Sequence, residues 1–179
     1  MNKVVTKKFQ ANYKTIVFWS LVALLTLAFI VFVVVKFVES SKRANSLDEL
    51  TNLSSQQIFE KQGTYYVYAY SRVGVTVDKL ELEKSDALEE TIITYLTFAK
   101  RHASANRMYG MNVDSYENNS CLIDGAGVYT NVMNKTSFAG LRIHKGDVPI
   151  LMKITDGKVA GAYLTESDIR EELQTAMNS

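Results

Sequence analysis

Residues 15–35 carry no charged side chain, twenty-one positions held between Lys14 and Lys36. At about 1.5 Å of rise per residue, such a run is roughly 30 Å long as a helix, the thickness of a bilayer's hydrocarbon core. Leu, Ile, Val, Phe and Ala fill nearly all of it, and Trp19 stands near one end, where interfacial aromatics gather. A cleavable signal peptide has a shorter apolar core and a small-residue cleavage site. Here the run exits into Lys36, Phe37, Val38, Glu39 and Ser40, with no such site and no nearby cysteine for a lipid. A buried core helix of this length needs a larger domain around it than the rest of the chain can build. The run therefore reads as an uncleaved membrane-spanning helix over 15–38, after a basic arm over 1–14.

Flanking charge sets the expected direction. Lys3, Lys7, Lys8 and Lys14 precede the run with no acid among them, and Lys36, Lys42 and Arg43 follow it. Together with the terminal amino group, this balance favours a cytoplasmic N-terminus and an extracytoplasmic C-terminal domain in the cell membrane. The bilayer is the first expected partner. The span contains no Gly-x-x-x-Gly motif, and its interior polar groups are Ser20 and Thr26, so helix–helix packing is not its evident purpose.

After a linker over 39–53, residues 54–179 are enough for one domain with its own core. A formal net charge of +1 offers no broad basic surface for nucleic acid. The single cysteine, Cys121, excludes an intrachain disulfide and a cysteine-rich metal site, and His102 and His144 lack the local spacing of ligands. No metal or cofactor is expected. Glu81, Glu83, Asp86, Glu89 and Glu90 read as a solvated helix face that complements a helix N-terminus. Asn52, Asn118 and Asn134 open Asn-x-Ser/Thr triplets, but nothing else points to a secretory eukaryotic protein.

Periodicity places the elements. Ser54-x-x-Gln57 is a capping-box pattern for a short helix that Gly63 stops. Residues 65–70, Tyr-Tyr-Val-Tyr-Ala-Tyr, read as a strand buried on both faces, with its tyrosines packed rather than lining a ligand site. A loop around Gly74 follows. The pattern turns helical from Lys79 to about His102, with Leu88, Ile92, Tyr95, Leu96 and Ala99 at helical spacing and a start expected near Ser85. Residues 107–114 read as a second strand, 116–132 resist assignment, and 135–141 read as a short helix. Asp156-Gly157 between two strand-like runs marks a hairpin, and Thr165-x-x-Asp168 caps a last helix with Ile169, Leu173 and Met177 on one face. Strands separated by helices and closed by a hairpin give an α/β sandwich with a mixed sheet.

Three stretches together resemble the thioredoxins, and specifically the membrane-anchored thioredoxin-like proteins of Gram-positive bacteria. They are the aromatic strand running into Ser71, the segment Asp147-Val148-Pro149-Ile150-Leu151, and the closing hairpin around Asp156-Gly157. The resemblance implies a thioredoxin-like three-layer sandwich over 54–179, with a cis-proline at Pro149. It also implies a Cys-x-x-Cys dithiol at the start of the long helix, but Gly74 and Val77 occupy those two positions. Neither side chain can attack sulfur, and no cysteine precedes position 121. The resemblance then implies a redox-inactive binding or scaffolding module of the bacterial cell envelope. Its groove would be shaped by Val148 and Pro149 with Arg72, Val73 and Gly74 as the opposite lip, and it would bind an extended segment of an envelope protein through main-chain pairing. An accessory of a secretion, conjugation or bacteriocin-export system is the setting by analogy. The alternative is a residual thiol–disulfide oxidoreductase or isomerase that relies on Cys121 alone, which requires that thiol to be exposed and acidic.

Overall fold

The computed structural model describes residues 12–41, 43–74 and 76–179; Lys3, Lys7, Lys8 and Lys42 of the charge argument lie outside them. The chain divides into two compact units, Met1–Ser41 and Lys42–Ser179.

The first unit is one helix, α1 (Tyr13–Ser41), whose apolar side chains stand exposed along its length. It is long and apolar enough, over Tyr13–Ser40, to cross a membrane. Its one interior threonine, Thr26, returns its hydroxyl to the Val22 carbonyl at 2.8 Å, so that donor is satisfied within the helix. Lys36 and Glu39 pair at 3.1 Å beyond the apolar run.

The second unit is an α/β domain around a mixed sheet. Its long elements are β1 (Thr64–Tyr70), α2 (Lys79–Arg101) and β2 (Arg107–Asn112). The short strands β3 (Leu122–Ile123) and β4 (Ile143–His144) follow, then β5 (Ile150–Thr155), β6 (Lys158–Tyr163) and α3 (Glu166–Asn178). The main sheet has the order β2-β1-β5-β6. β1 runs parallel to β2, with Tyr65 opposite Arg107, and antiparallel to β5, with Thr64 opposite Thr155. A central strand covered on both faces must be apolar at successive positions, which is why this one is aromatic and aliphatic almost throughout.

Alternation sorts those side chains into two cores. Tyr66, Tyr68 and Tyr70 face α2 and α3, packing with Leu88, Ile92, Tyr95, Ile169 and Leu173. Tyr66 meets Tyr95 edge-on at 5.5 Å, a geometry worth about 0.5–1.5 kcal/mol beyond the buried area. Tyr65, Val67 and Ala69 face the other way with Ile150, Met152 and Ile154, beneath Leu53, Ile58, Cys121, Leu141 and Ile143. That second face has no long helix. Single 3-10 turns and the two-stranded parallel sheet of β3 and β4 cover it, so the expected third helical layer is replaced by irregular chain.

One polar cluster sits among the tyrosines. Glu172 of α3 accepts the Tyr66 hydroxyl at 2.5 Å and the Lys153 ammonium at 3.0 Å, and that ammonium also stands over the Tyr66 ring. Burial pushes the Glu172 carboxyl up, but its bonds to Tyr66, Tyr163 and Lys153 outweigh this and hold it below its ordinary value. Burial, and then the same carboxylate, raise the Tyr66 hydroxyl.

Several local expectations hold. Asp156 and Gly157 both take positive φ, as a tight two-residue hairpin with right-handed strand twist requires, and Thr165 Oγ1 accepts the Asp168 N–H at 3.2 Å. Others are corrected. α2 begins at Lys79 rather than near Ser85, because its buried stripe continues back through Ser85 and Glu81, polar positions that a count of apolar residues omits. Glu81 is buried rather than solvated, whereas Glu83, Asp86 and Glu90 are exposed. The helix expected over 135–141 shrinks to a 3-10 turn, Phe138–Gly140. The backbone at Asn134 and Lys135 is spent on Val159, the first donating to its carbonyl at 3.0 Å and the second accepting its N–H at 2.9 Å. The capping box at Ser54 forms one of its bonds, Ser54 N–H to Gln57 Oε1 at 3.3 Å, and opens only the 3-10 turn Gln57–Phe59.

Residues 43–53, expected as linker, belong to the domain. Ala44, Leu47, Leu50 and Leu53 are buried, and the Ala44 N–H donates to Thr97 Oγ1 of α2 at 3.0 Å. Gly110 of β2 donates to Thr51 O at 3.0 Å and accepts from Leu53 N–H at 2.8 Å, so 51–53 lie along the outer edge of β2. A Cβ at 110 would lie 2.3 Å from Asn52 Oδ1, so a larger residue there must displace the amide that accepts the Tyr70 hydroxyl.

Candidate functional site

The loop after β1 and the segment before β5 both meet the start of α2. The parallel register that sets Tyr70 beside Asn112 continues with Val113 N–H donating to Tyr70 O at 3.0 Å, and this carries Asp114 alongside Arg72, next to Ser71. Asp114 then closes on the loop. Its Oδ1 accepts the Ser71 hydroxyl at 2.7 Å and the Thr76 hydroxyl at short range. Its Oδ2 accepts the Arg72 N–H at 2.7 Å and the Val73 N–H at 3.2 Å. Burial pushes this carboxyl up, yet the bonds from Thr76, Arg72, Ser71 and Val73 prevail and hold it below the usual carboxylate value. Sequence reasoning missed Asp114. Its signal was the register: with both strands assigned as parallel neighbours, position 114 falls across from 72.

The two positions that would carry a dithiol differ in kind. Gly74 is exposed with φ +62°, a backbone conformation that favours glycine, and a Cβ there would lie 2.7 Å from Leu82 Cδ1 and push that side chain aside. Val77 is buried in the core beneath the loop. The exposed surface of the loop and helix start mixes apolar and charged groups: Val73 is 66 % exposed and Leu80 60 % exposed, beside exposed Asp78, Lys79 and Glu83, and Arg72 pairs with Asp48 at 3.4 Å.

Opposite them, the 3-10 turn Lys145–Asp147 leads to Val148 and Pro149, joined by a cis peptide bond. Lys84 of α2 holds this turn, donating to Gly146 O at 3.2 Å while pairing with Glu81 at 3.4 Å. Thr130 Oγ1 donates to Asp147 at 2.5 Å, and Lys145 pairs with Asp124 at 3.3 Å. His144 Nδ1 accepts the Gly146 N–H at 3.2 Å. One expectation changes here. Val148 and Pro149 are both buried, and the Val148 N–H is already committed to Lys145 O at 3.2 Å. The backbone donor expected to pair with a partner closes the turn instead, so Val148 and Pro149 form the inner wall of the site while Arg72, Val73 and Gly74 form its accessible rim.

Cys121 is remote from this rim. It lies in the core of the non-helical face, 1 % exposed, and its thiol donates to Asn118 O at 3.0 Å. Burial pushes the thiol up to about 11. Thiolate is then about a hundredfold scarcer at neutral pH than for an ordinary cysteine near 9, before shielding slows any reagent further. Labelling of the folded chain with a disulfide reagent is expected to be at least about a hundredfold slower than labelling of the urea-unfolded chain; equal rates would refute the burial. Of the triplet asparagines, Asn118 is buried, with its amide on Leu53 O and Asn112 O, Asn52 serves Tyr70, and Asn134 is exposed. Among the described residues, no three His, Cys, Asp or Glu side chains converge as a metal would need.

No family model matches the chain, and no curated protein matches it.

Proposed function

We propose that the chain is a membrane-anchored, thioredoxin-like binding or scaffolding module from which the redox dithiol is missing. The observation that carries this reading is the convergence at the start of α2. A loop following the central strand and a proline leading into β5 meet there, within a sheet of order β2-β1-β5-β6. That is the arrangement the thioredoxin resemblance implies for an active site, and here the loop carries glycine and valine where thiols would stand. The Asp114 clamp supports the same reading, since a fixed rim with exposed apolar side chains binds without first paying to order itself.

The partner is a protein segment, gripped by Val73 and Leu80 and by exposed main chain around Gly74 rather than through disulfide exchange. α1 is the anchor, with its N-terminus in the cytoplasm and the domain outside, in the envelope of a Gram-positive bacterium. An accessory role in secretion, conjugation or bacteriocin export fits such a tethered module.

Photo-crosslinking in native membranes tests the reading, with the probe at exposed Val73 and a control at exposed Glu83. A discrete adduct from Val73 alone is expected. Equal, diffuse labelling from both positions would overturn the rim as a partner site.

A further inference from the structure

The irregular chain that covers the second sheet face builds a trough from none of the rim residues. One wall is Ser54, Ser55 and Gln56, which lead into the 3-10 turn Gln57–Phe59. The facing wall is Tyr116, Glu117, Asn119 and Ser120, and the cleft between them is about 450 Å³. A second cleft of about 460 Å³ adjoins it, since Ser55 and Gln56 line both. Phe59, Glu60, Thr136, Ser137 and Phe138 complete the second. Both volumes fall in the range of ordinary ligand clefts, roughly 300–1,000 Å³.

The walls are braced against each other. Asn118, buried between Glu117 and Asn119, donates its amide to Leu53 O at 3.2 Å and to Asn112 O at 3.1 Å. Leu53 directly precedes the first wall, so one side chain ties the two together. The side chains that face the trough are otherwise uncommitted. The hydroxyl, amide and carboxylate groups of its lining hydrogen-bond to no other described residue, and the Tyr116 ring is 92 % exposed. Ser54, Ser55 and Asn119 are half-buried, so their unpaired groups are partly withdrawn from water.

That chemistry selects the ligand. No Lys or Arg lines either cleft, while Glu60 and Glu117 do, so an anion is disfavoured. Gln57–Phe59 and Asn119–Cys121 are 3-10 turns, so neither wall offers the straight ladder with which an extended peptide pairs. Hydroxyl and amide side chains, which together donate and accept, suit a ligand of the same kind. The free face of Tyr116 suits the C–H surface of a sugar ring, and half-buried Phe59 and Phe138 give a methyl group an apolar wall. We propose that the trough binds an uncharged oligosaccharide bearing acetamido groups. Tyr116 stacks on one ring, while Gln56 and Asn119 hydrogen-bond to the hydroxyl and acetamido groups.

The test uses the full chain in a detergent without a sugar headgroup, because such a headgroup competes. The probe is the tetrasaccharide of N-acetylglucosamine, and cellotetraose, which lacks the acetamido groups, is the comparison. Saturation-transfer NMR and calorimetric titration are expected to show the N-acetylated probe bound with a Kd of about 1 mM or tighter. Cellotetraose should bind at least about fivefold more weakly, having no amide to pair. Tyr116→Ala should weaken binding about tenfold, whereas Tyr116→Phe, which keeps the ring, should stay within about twofold of the wild type. The double variant Gln56→Ala/Asn119→Ala should lose the preference for the N-acetylated probe. None of these side chains hydrogen-bonds within the fold, so all three variants should keep the wild-type denaturation midpoint. No transfer at about 5 mM probe, equal affinity for the two sugars, or binding indifferent to Tyr116→Ala overturns the proposal. Its failure leaves the reading of the Val73 rim standing, since the crosslinking adduct tests that rim separately.

Discussion

Replacing Asp114 with alanine is expected to destabilise the domain by roughly 2–3 kcal/mol and to free the loop between β1 and α2. Four donors converge on this one carboxylate, two of them backbone N–H groups of Arg72 and Val73. Water can reach the exposed loop and recover part of the loss, which keeps the cost below four times that of one charged hydrogen bond. Asp114→Asn should cost less. Its carbonyl oxygen can keep the two backbone donors, and the Ser71 and Thr76 hydroxyls can turn to accept from the new amide. Chemical denaturation of the full chain in detergent gives the energies, and amide exchange at Arg72 and Val73 locates the effect. Unchanged exchange in Asp114→Ala would show that the loop is held by something else. The adduct expected from Val73 should weaken in the same variant, since the rim would lose its fixed shape.

Glu172→Ala should be at least as costly, about 3 kcal/mol, because it strands two groups at once. The Tyr66 hydroxyl is buried with Glu172 as its acceptor, and the Lys153 ammonium is two-thirds covered. Tyr66→Phe removes one of those bonds and no charge, so about 1–2 kcal/mol is expected. The double variant should cost less than the sum of the two, since the first change already breaks the shared bond; strict additivity would mean the contact contributes nothing. Acid gives an independent check. Asp114 and Glu172 both have carboxyls held below their unfolded values. Their contribution is therefore complete above about pH 4, where the unfolded groups ionise, and is lost as pH falls further through the lowered folded values. Stability of the wild-type chain should drop more steeply below pH 4 than that of the Asp114→Asn or Glu172→Gln variants.

What could be read from the sequence follows a physical division between local and distant causes. The aromatic run of β1, the Asp156-Gly157 turn and the Thr165 cap are set by side chains within a few residues of one another, and all three were legible. The Asp114 clamp depends on a parallel register between strands whose paired residues lie 42 positions apart, and no local pattern announces it. Glu81 looked solvated because its chemistry is polar, yet its burial follows from its helical spacing to Ser85 and Leu88. The helix read over 135–141 cannot start at Lys135, because the backbone of Asn134 and Lys135 pairs with Val159. The inner wall at Val148 and Pro149 was placed by resemblance, but the fate of its N–H depended on a turn of three residues that only coordinates reveal.

The strip at 51–53 also decides where this protein can be cut. A chain beginning at residue 54 would lose Ala44, Leu47, Leu50 and Leu53 from its cores and leave the outer edge of β2 bare at Gly110. Unpaired edge strands beside uncovered apolar surface recruit other copies through sheet-to-sheet pairing. Such a fragment would be expected to self-associate, whereas one beginning at residue 43 keeps its edge sheathed. The stretch that follows α1 thus acts as a guard against aggregation for the domain it introduces.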